Sequence, residues 1–262
     1  MLSLSQCVRI AAMASFALAC NGDGLEEKGF RVDSGVQPGD TLGLLTSNDG
    51  AAIFETRPAS VLLTGIGNVR LTTVYKVNWA KDGKSSFIGS DNFHFSYEDP
   101  EDDSANNWNY NLMPGLAAVY GYNLVNVSHY DIQENRQKEF FEKPVLIKTL
   151  YYPSFSKDTL NYQPVQRNFF MVSVYDEDTN GDGSIDLKDL RRFSLFDVNG
   201  IRQKALIPVN YSVISSDYDP ANDLMYVFAQ LDANDNGRLD DGEPIHIHWV
   251  DLKDPQRTGR LY

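Results

Sequence analysis

From about residue 59 the apolar and polar positions read as strands, some alternating and some continuous apolar runs. Residues 71–79 (LTTVYKVNW) are dense in β-branched and aromatic side chains, which suit a pleated, half-buried surface. Residues 81–84 (KDGK) follow as a turn, and 86–88 begin a return strand. Residues 122–130 (YNLVNVSHY) alternate, then give way to a polar turn at 131–137 and to Phe140-Phe141. Two further apolar runs, 145–152 (VLIKTLYY) and 169–175 (FFMVSVY), predict buried strands. The 3.6-residue period is weak throughout, and its best stretch is short, at 187–192. Residues 99–111 (DPEDDSANNWNYN) are polar and predict a long surface loop. The expected class is therefore all-β.

A repeat emerges when Asp178 is aligned with Asp232. Val172-Ser173-Val174 then falls on Tyr226-Val227-Phe228, and residues 193–197 fall on 247–251. Each unit reads as strand, acidic loop, strand, turn and short segment, with 211–217 as a further strand before the second unit. About four strands at a spacing near fifty residues is the period of a propeller blade. The hairpins at 71–88 and 122–141 would be inner strands of two earlier units. The expectation is a β-propeller-like body of repeated four-stranded units, with a β-sandwich made from the same hairpins as the alternative.

The beginning of the chain has a different pattern. Arg9 precedes an apolar run at 10–19 that has the length of a signal-peptide core and is too short to span a bilayer. Phe16-Ala17-Leu18-Ala19-Cys20 closes it. A small residue before a cysteine at that place resembles the lipobox of bacterial lipoproteins, although Ala17 stands where that family prefers Leu. The resemblance implies lipidation of Cys20; cleavage after Ala17-Leu18-Ala19 is the alternative. Residues 1–20 are thus expected to be a signal peptide. Residues 21–58, rich in Gly, Asp, Ser and Thr, are expected to be a tether and irregular lead-in, and 59–262 the body. The chain has two cysteines, Cys7 and Cys20. A body without thiols has no internal disulfide, thiolate metal site or cysteine nucleophile.

Composition narrows the function classes. With 42% hydrophobic residues the chain can bury a sizeable core, and its net charge of −13 repels phosphate backbones, so nucleic acid is not an expected partner. Some of that acidity lies in two twelve-residue segments. Residues 178–189 read DTNGDGSIDLKD, and residues 232–243 read DANDNGRLDDGE. Calcium takes six to eight oxygens, and such a loop supplies them from positions 1, 3, 5, 7, 9 and 12 around a glycine at position 6. In loop one these are Asp178, Asn180, Asp182, Ser184 through its carbonyl, Asp186 and Asp189, with Gly183 at the turn. In loop two they are Asp232, Asn234, Asn236, Arg238 through its carbonyl, Asp240 and Glu243, with Gly237 at the turn. Position 8 carries an apolar pin, Ile185 or Leu239.

Both segments resemble the loops of EF-hands and dockerins, which implies two calcium sites. Asp189 replaces the usual glutamate and reaches less far, so site one is expected to be weaker or more tolerant of magnesium. The flanks read as strands rather than helices, so the ion is expected to staple a connection between strands. From about Arg57 to its end the chain resembles bacterial lipoproteins with embedded EF-hand-type loops, a resemblance that brings no activity with it.

Other constellations say less. His246 and His248 share one strand face, which suits two packed strand histidines or a zinc or copper pair lacking a third ligand. His94 and His129 are isolated. Trp79, Trp108, Tyr110, Tyr151 and Tyr152 would either fill the core or stack on sugars. Asp40-Thr41-Leu42 and Asp158-Thr159-Leu160 look like a short bacterial O-glycosylation sequon. No signature of a serine hydrolase, zinc protease or phosphate loop is present. The expectation is an exported, lipid-anchored calcium-binding protein of the cell envelope, at the outer membrane or cell surface. It would be a non-catalytic module for a glycan or protein ligand, with a calcium-stabilised polysaccharide hydrolase as the alternative.

Overall fold

A computed structural model describes residues 28–32, 54–79, 85–89, 91–93 and 113–262. The signal-peptide and lipidation readings, the turn at 81–84, the loop at 99–111, His94, Trp108, Tyr110 and the sequon at Asp40 lie outside the described residues. The chain divides into two compact units. One joins Met1–Glu27 to Asn78–Phe87; the other comprises Lys28–Val77 and Ile88–Tyr262.

The described residues form strands and no helix. Three antiparallel sheets carry the body, with strands numbered in chain order. The first has the order β2-β3-β7-β8: β2 (Thr56–Leu63), β3 (Val69–Trp79), β7 (Leu124–Asp131) and β8 (Arg136–Glu139). The second has the order β15-β14-β12-β9-β6-β5. It comprises β5 (Asp91–Phe93), β6 (Leu116–Gly121), β9 (Leu146–Pro153), β12 (Phe169–Tyr175), β14 (Arg192–Asp197) and β15 (Arg202–Ala205). The third runs in sequence order: β16 (Tyr211–Asp219), β17 (Leu224–Leu231), β18 (Ile245–Asp251) and β19 (Thr258–Arg260). Short pairs are added by β1 (Gly29–Arg31) with β13 (Ser184–Asp186) and by β10 (Asp158–Leu160) with β11 (Gln163–Val165); β4 is Ser86–Ile88.

The second sheet is apolar on both faces. Phe170, Val172, Val174, Ile147, Leu150 and Phe196 share a cluster with Leu71, Tyr75, Leu124 and Val127 of the first sheet. Their strand neighbours Phe169, Met171, Tyr151, Phe193 and Leu195 share another with Val213, Met225, Val227, Ala229 and Val250 of the third. The middle sheet is therefore covered on both sides, which is why all seven residues of β12 are buried. Each fully buried large side chain contributes about 1.5–3 kcal/mol. Arg167, just before β12, clamps the second core from its rim. Its guanidinium donates to both Asp223 carboxylate oxygens (2.9 and 2.8 Å) and to the Leu252 carbonyl (2.6 Å).

The repeat is visible as two four-stranded meanders, β9-β12-β14-β15 and β16-β17-β18-β19. Even their turns correspond: Asp197 accepts a hydrogen bond from the Asn199 backbone and Asp251 from that of Lys253, both at 2.9 Å. Two expectations change. The hairpins at 71–88 and 122–141 do not start separate units, because β3 and β7 pair with one another in a single sheet. The stretch 187–192 is not helical. The Arg191 amide donates to Ser212 Oγ, so a side chain of a distant strand takes a donor that a helix would send to the residue 187 carbonyl.

Candidate metal centre

Each acidic loop joins the second and third strands of its meander, β12 to β14 and β17 to β18. The two loops share a set of internal hydrogen bonds at matching positions. In loop one Asp178 Oδ1 accepts from the Asp182 amide (3.1 Å) and Oδ2 from the Gly183 amide (2.8 Å). In loop two Asp232 Oδ1 accepts from the Asn236 amide (3.0 Å) and Oδ2 from the Gly237 amide (2.9 Å). Asn180 and Asn234 then accept from the amides of Asp182 and Asn236 at 2.9 and 3.0 Å. Asp182 and Asn236 accept from Ser184 and Arg238 at 3.1 and 3.0 Å. At the far end Asp189 accepts from the Thr179 amide and Glu243 from the Ala233 amide, both at 2.8 Å. Gly183 and Gly237 make the turn at φ 84° and 72°, a conformation in which a side chain is strained. Short polar side chains, each holding the amide two to five residues on, coil both segments around their carboxylates.

The surroundings differ. Asp189 is wholly buried. It accepts from the amides of Thr179, Asn180 (3.3 Å) and Asp186 (2.8 Å), and burial pushes its carboxyl above the usual carboxylate range despite those bonds. Asp186 also pairs with Lys188 at 3.2 Å. In loop two the side-chain amides of Asn234 (3.1 Å) and Asn236 donate to Asp240 Oδ2 and hold its carboxyl low. Glu243 Oε2 is buried without a hydrogen-bond partner.

Among the described residues, no group of three or more His, Cys, Asp or Glu side chains is drawn together to hold a metal ion. The donor set nonetheless fits a hard cation. Loop one brings four carboxylates, an amide and a backbone carbonyl; loop two brings three carboxylates, two amides and a carbonyl. Calcium accepts all three kinds of oxygen. A buried carboxylate oxygen without a donor is costly, and a cation in loop two would satisfy Glu243 Oε2.

Three features escaped the sequence. Thr179, at position 2, links the loops: its hydroxyl donates to the Gly237 carbonyl (2.7 Å) and accepts from the Leu190 amide (2.8 Å). A Cβ on Gly237 would overlap the Thr179 carbonyl. The apolar pins behave differently from one another. Ile185 is 6% exposed beside Phe30, Val125, Leu146 and Tyr175, whereas Leu239 is 42% exposed. Finally, β1 arises within the stretch expected to be a tether and lies along loop one. No local pattern announces it beyond one aromatic residue in a polar segment.

The remaining candidates take structural places. Tyr211 hydroxyl lies 2.7 Å from His246 Nδ1, and its ring meets His248 edge-on at 5.1 Å between centroids. His248 is buried, with Nε2 unpartnered. His129 Nε2 lies 3.0 Å from the Val198 carbonyl. Tyr151 and Tyr152 fill the cores, while Trp79 is half exposed. Thr159 of the second sequon is exposed on β10. A groove of about 350 Å³ is lined by Gln166, Asn168, Phe169, Asp197, Gln203 and Gln256, among others. Compared with known proteins, the chain matches no family model and no curated protein.

Proposed function

We propose that this chain is an exported, lipid-anchored calcium-binding protein of the cell envelope. Residues 178–189 and 232–243 each hold one calcium ion, and both ions stabilise the fold. The observation that carries this reading is the shared framework. Two loops with the oxygen spacing of a calcium site use the same amide-to-carboxylate bonds at the same point of two repeated meanders. The ligands are Asp178, Asn180, Asp182, Ser184, Asp186 and Asp189 in one loop, and Asp232, Asn234, Asn236, Arg238, Asp240 and Glu243 in the other. Lipidation at Cys20 would attach the body to a membrane, at the outer membrane or cell surface.

Strand-flanked loops suit a staple better than a switch, because a sensor needs flanking helices that open. The meanders have the strand order of propeller blades, but their stacking as covered layers favours the sandwich arrangement. The body serves as a non-catalytic binding module. Its groove combines four carboxamide side chains with apolar residues such as Leu195 and Pro255, a mixed lining that suits a glycan or a protein segment.

Calorimetry with and without calcium tests the reading. Each ion at a hundred times its Kd adds about 2.7 kcal/mol of stability, so melting should shift upward in calcium and fall back in chelator. Identical melting in both would sink the proposal.

A further inference from the structure

We infer that β1 is a strap whose docking is thermodynamically linked to the ion in loop one. The inference rests on the reading of that loop as a calcium site. Strand β13 is itself part of the loop: it spans positions 7 to 9, from the Ser184 carbonyl to the Asp186 carboxylate. Strand β1 pairs with all three residues, Gly29 with Asp186, Phe30 with Ile185 and Arg31 with Ser184. The Val32 amide adds a bond to the Gly183 carbonyl at 2.8 Å.

The approach is close enough to demand glycine. Gly29 sits at φ 115°, and a Cβ there would lie 2.5 Å from the Ile185 carbonyl oxygen and 2.6 Å from Asp186 Cβ. The other side of the strap is held by the body. The Gly29 amide donates to Asn123 Oδ1 (2.8 Å), and Lys76 Nζ donates to the Gly29 carbonyl (3.1 Å). Phe30 meets Phe54 at 4.8 Å between ring centroids and shares a cluster with Ile185.

A three-residue strand pair is marginal by itself. An ion drawing on Ser184 and Asp186 needs their backbone in one place, and the strap holds that backbone. Conversely, a loop ordered by its ion presents a finished ladder to the strap. Linkage makes the two effects equal in size. The positive charge of the strap does not replace the ion, because Arg31 is exposed and its field is screened by water. Residues 232–243 contain no strand of this kind, so the coupling belongs to site one alone.

The test uses the full chain. Calcium titration calorimetry compares wild type with Gly29→Val, each also in a Glu243→Gln background that disables loop two. Hydrogen exchange follows residues 28–32 in calcium and in chelator. Gly29→Val should weaken site one about tenfold and leave site two unchanged, and the amides of β1 should exchange faster in chelator. Two-site binding by wild type, with the same affinities in Gly29→Val and the same protection of β1 in both buffers, overturns the linkage and leaves the calcium reading intact. No binding by wild type overturns both. Should Gly29→Val fail to fold, the exchange measurement on wild type decides alone.

Discussion

Loop one and loop two share five backbone-amide hydrogen bonds at matching positions and have different relations to the rest of the molecule. Loop one is built into the body. Asp189, the last of its proposed ligands, is wholly buried, its apolar pin lies in a cluster, and a strand from the beginning of the body lies along it. Loop two stands out from its sheet. Its pin is half exposed, its Asp240 is held by its own asparagines, and Glu243 keeps one oxygen without a donor. A twelve-residue pattern sets the coil of the loop; what lies around the coil sets how much the fold depends on it.

Three measurements would break or sharpen that contrast, beginning with the largest effect. In chelator, so that no ion contributes, Asp189→Ala should cost about 3 kcal/mol by denaturant unfolding, because three part-buried amides lose their acceptor together. Glu243→Ala should cost about 1 kcal/mol, since it frees one amide near the surface. Equal losses would mean that loop one is no more embedded than loop two. The pins give the second comparison. Ile185→Ala removes buried methyl groups beside Phe30 and should cost about 2–3 kcal/mol, while Leu239→Ala should stay within about 0.5 kcal/mol. A large loss at Leu239 would place that side chain in a contact that its exposure contradicts.

The smallest effect separates the strands that follow the loops. Counting from the Asp178 and Asp232 alignment, His248 in β18 stands where β14 has Ser194. Burial, the Arg260 charge and the neighbouring His246 hold the His248 imidazole below its ordinary value, and the Tyr211 ring packs on it. The unfolded chain therefore takes up this proton first as the pH falls. Stability should decline as the pH falls below about 6.5. His248→Phe should flatten that part of the profile, and an unchanged slope would assign it to other groups.

The sequence made the strands at β3, β9 and β12 legible because their runs of aromatic and β-branched residues have only one good use, a pleat covered by other layers. It also made the loops legible, since every bond that coils them joins residues at most ten apart. The stretch at 187–192 is not helical for a less local reason: the Arg191 amide goes to Ser212, 21 residues on. The pairing of β3 with β7 and the strap at Gly29–Arg31 were not legible. Neither contact leaves a trace in the residues around it, because the partner lies far along the chain.

What the sequence determined by itself was therefore an all-β body, a repeated meander and the oxygen spacing of two loops. Backbone sterics, two-residue periodicity and short side-chain bonds act within a dozen residues and do not wait for the fold. Only the tertiary structure decided that one loop has a buried end, a buried pin and a strap beside it while the pin of the other is exposed. It also decided that Thr179 of one loop meets Gly237 of the other, and that one sheet lies between two more. Burial is a property of the assembled layers: which of two similar loops loses its water depends on the surface that arrives beside it.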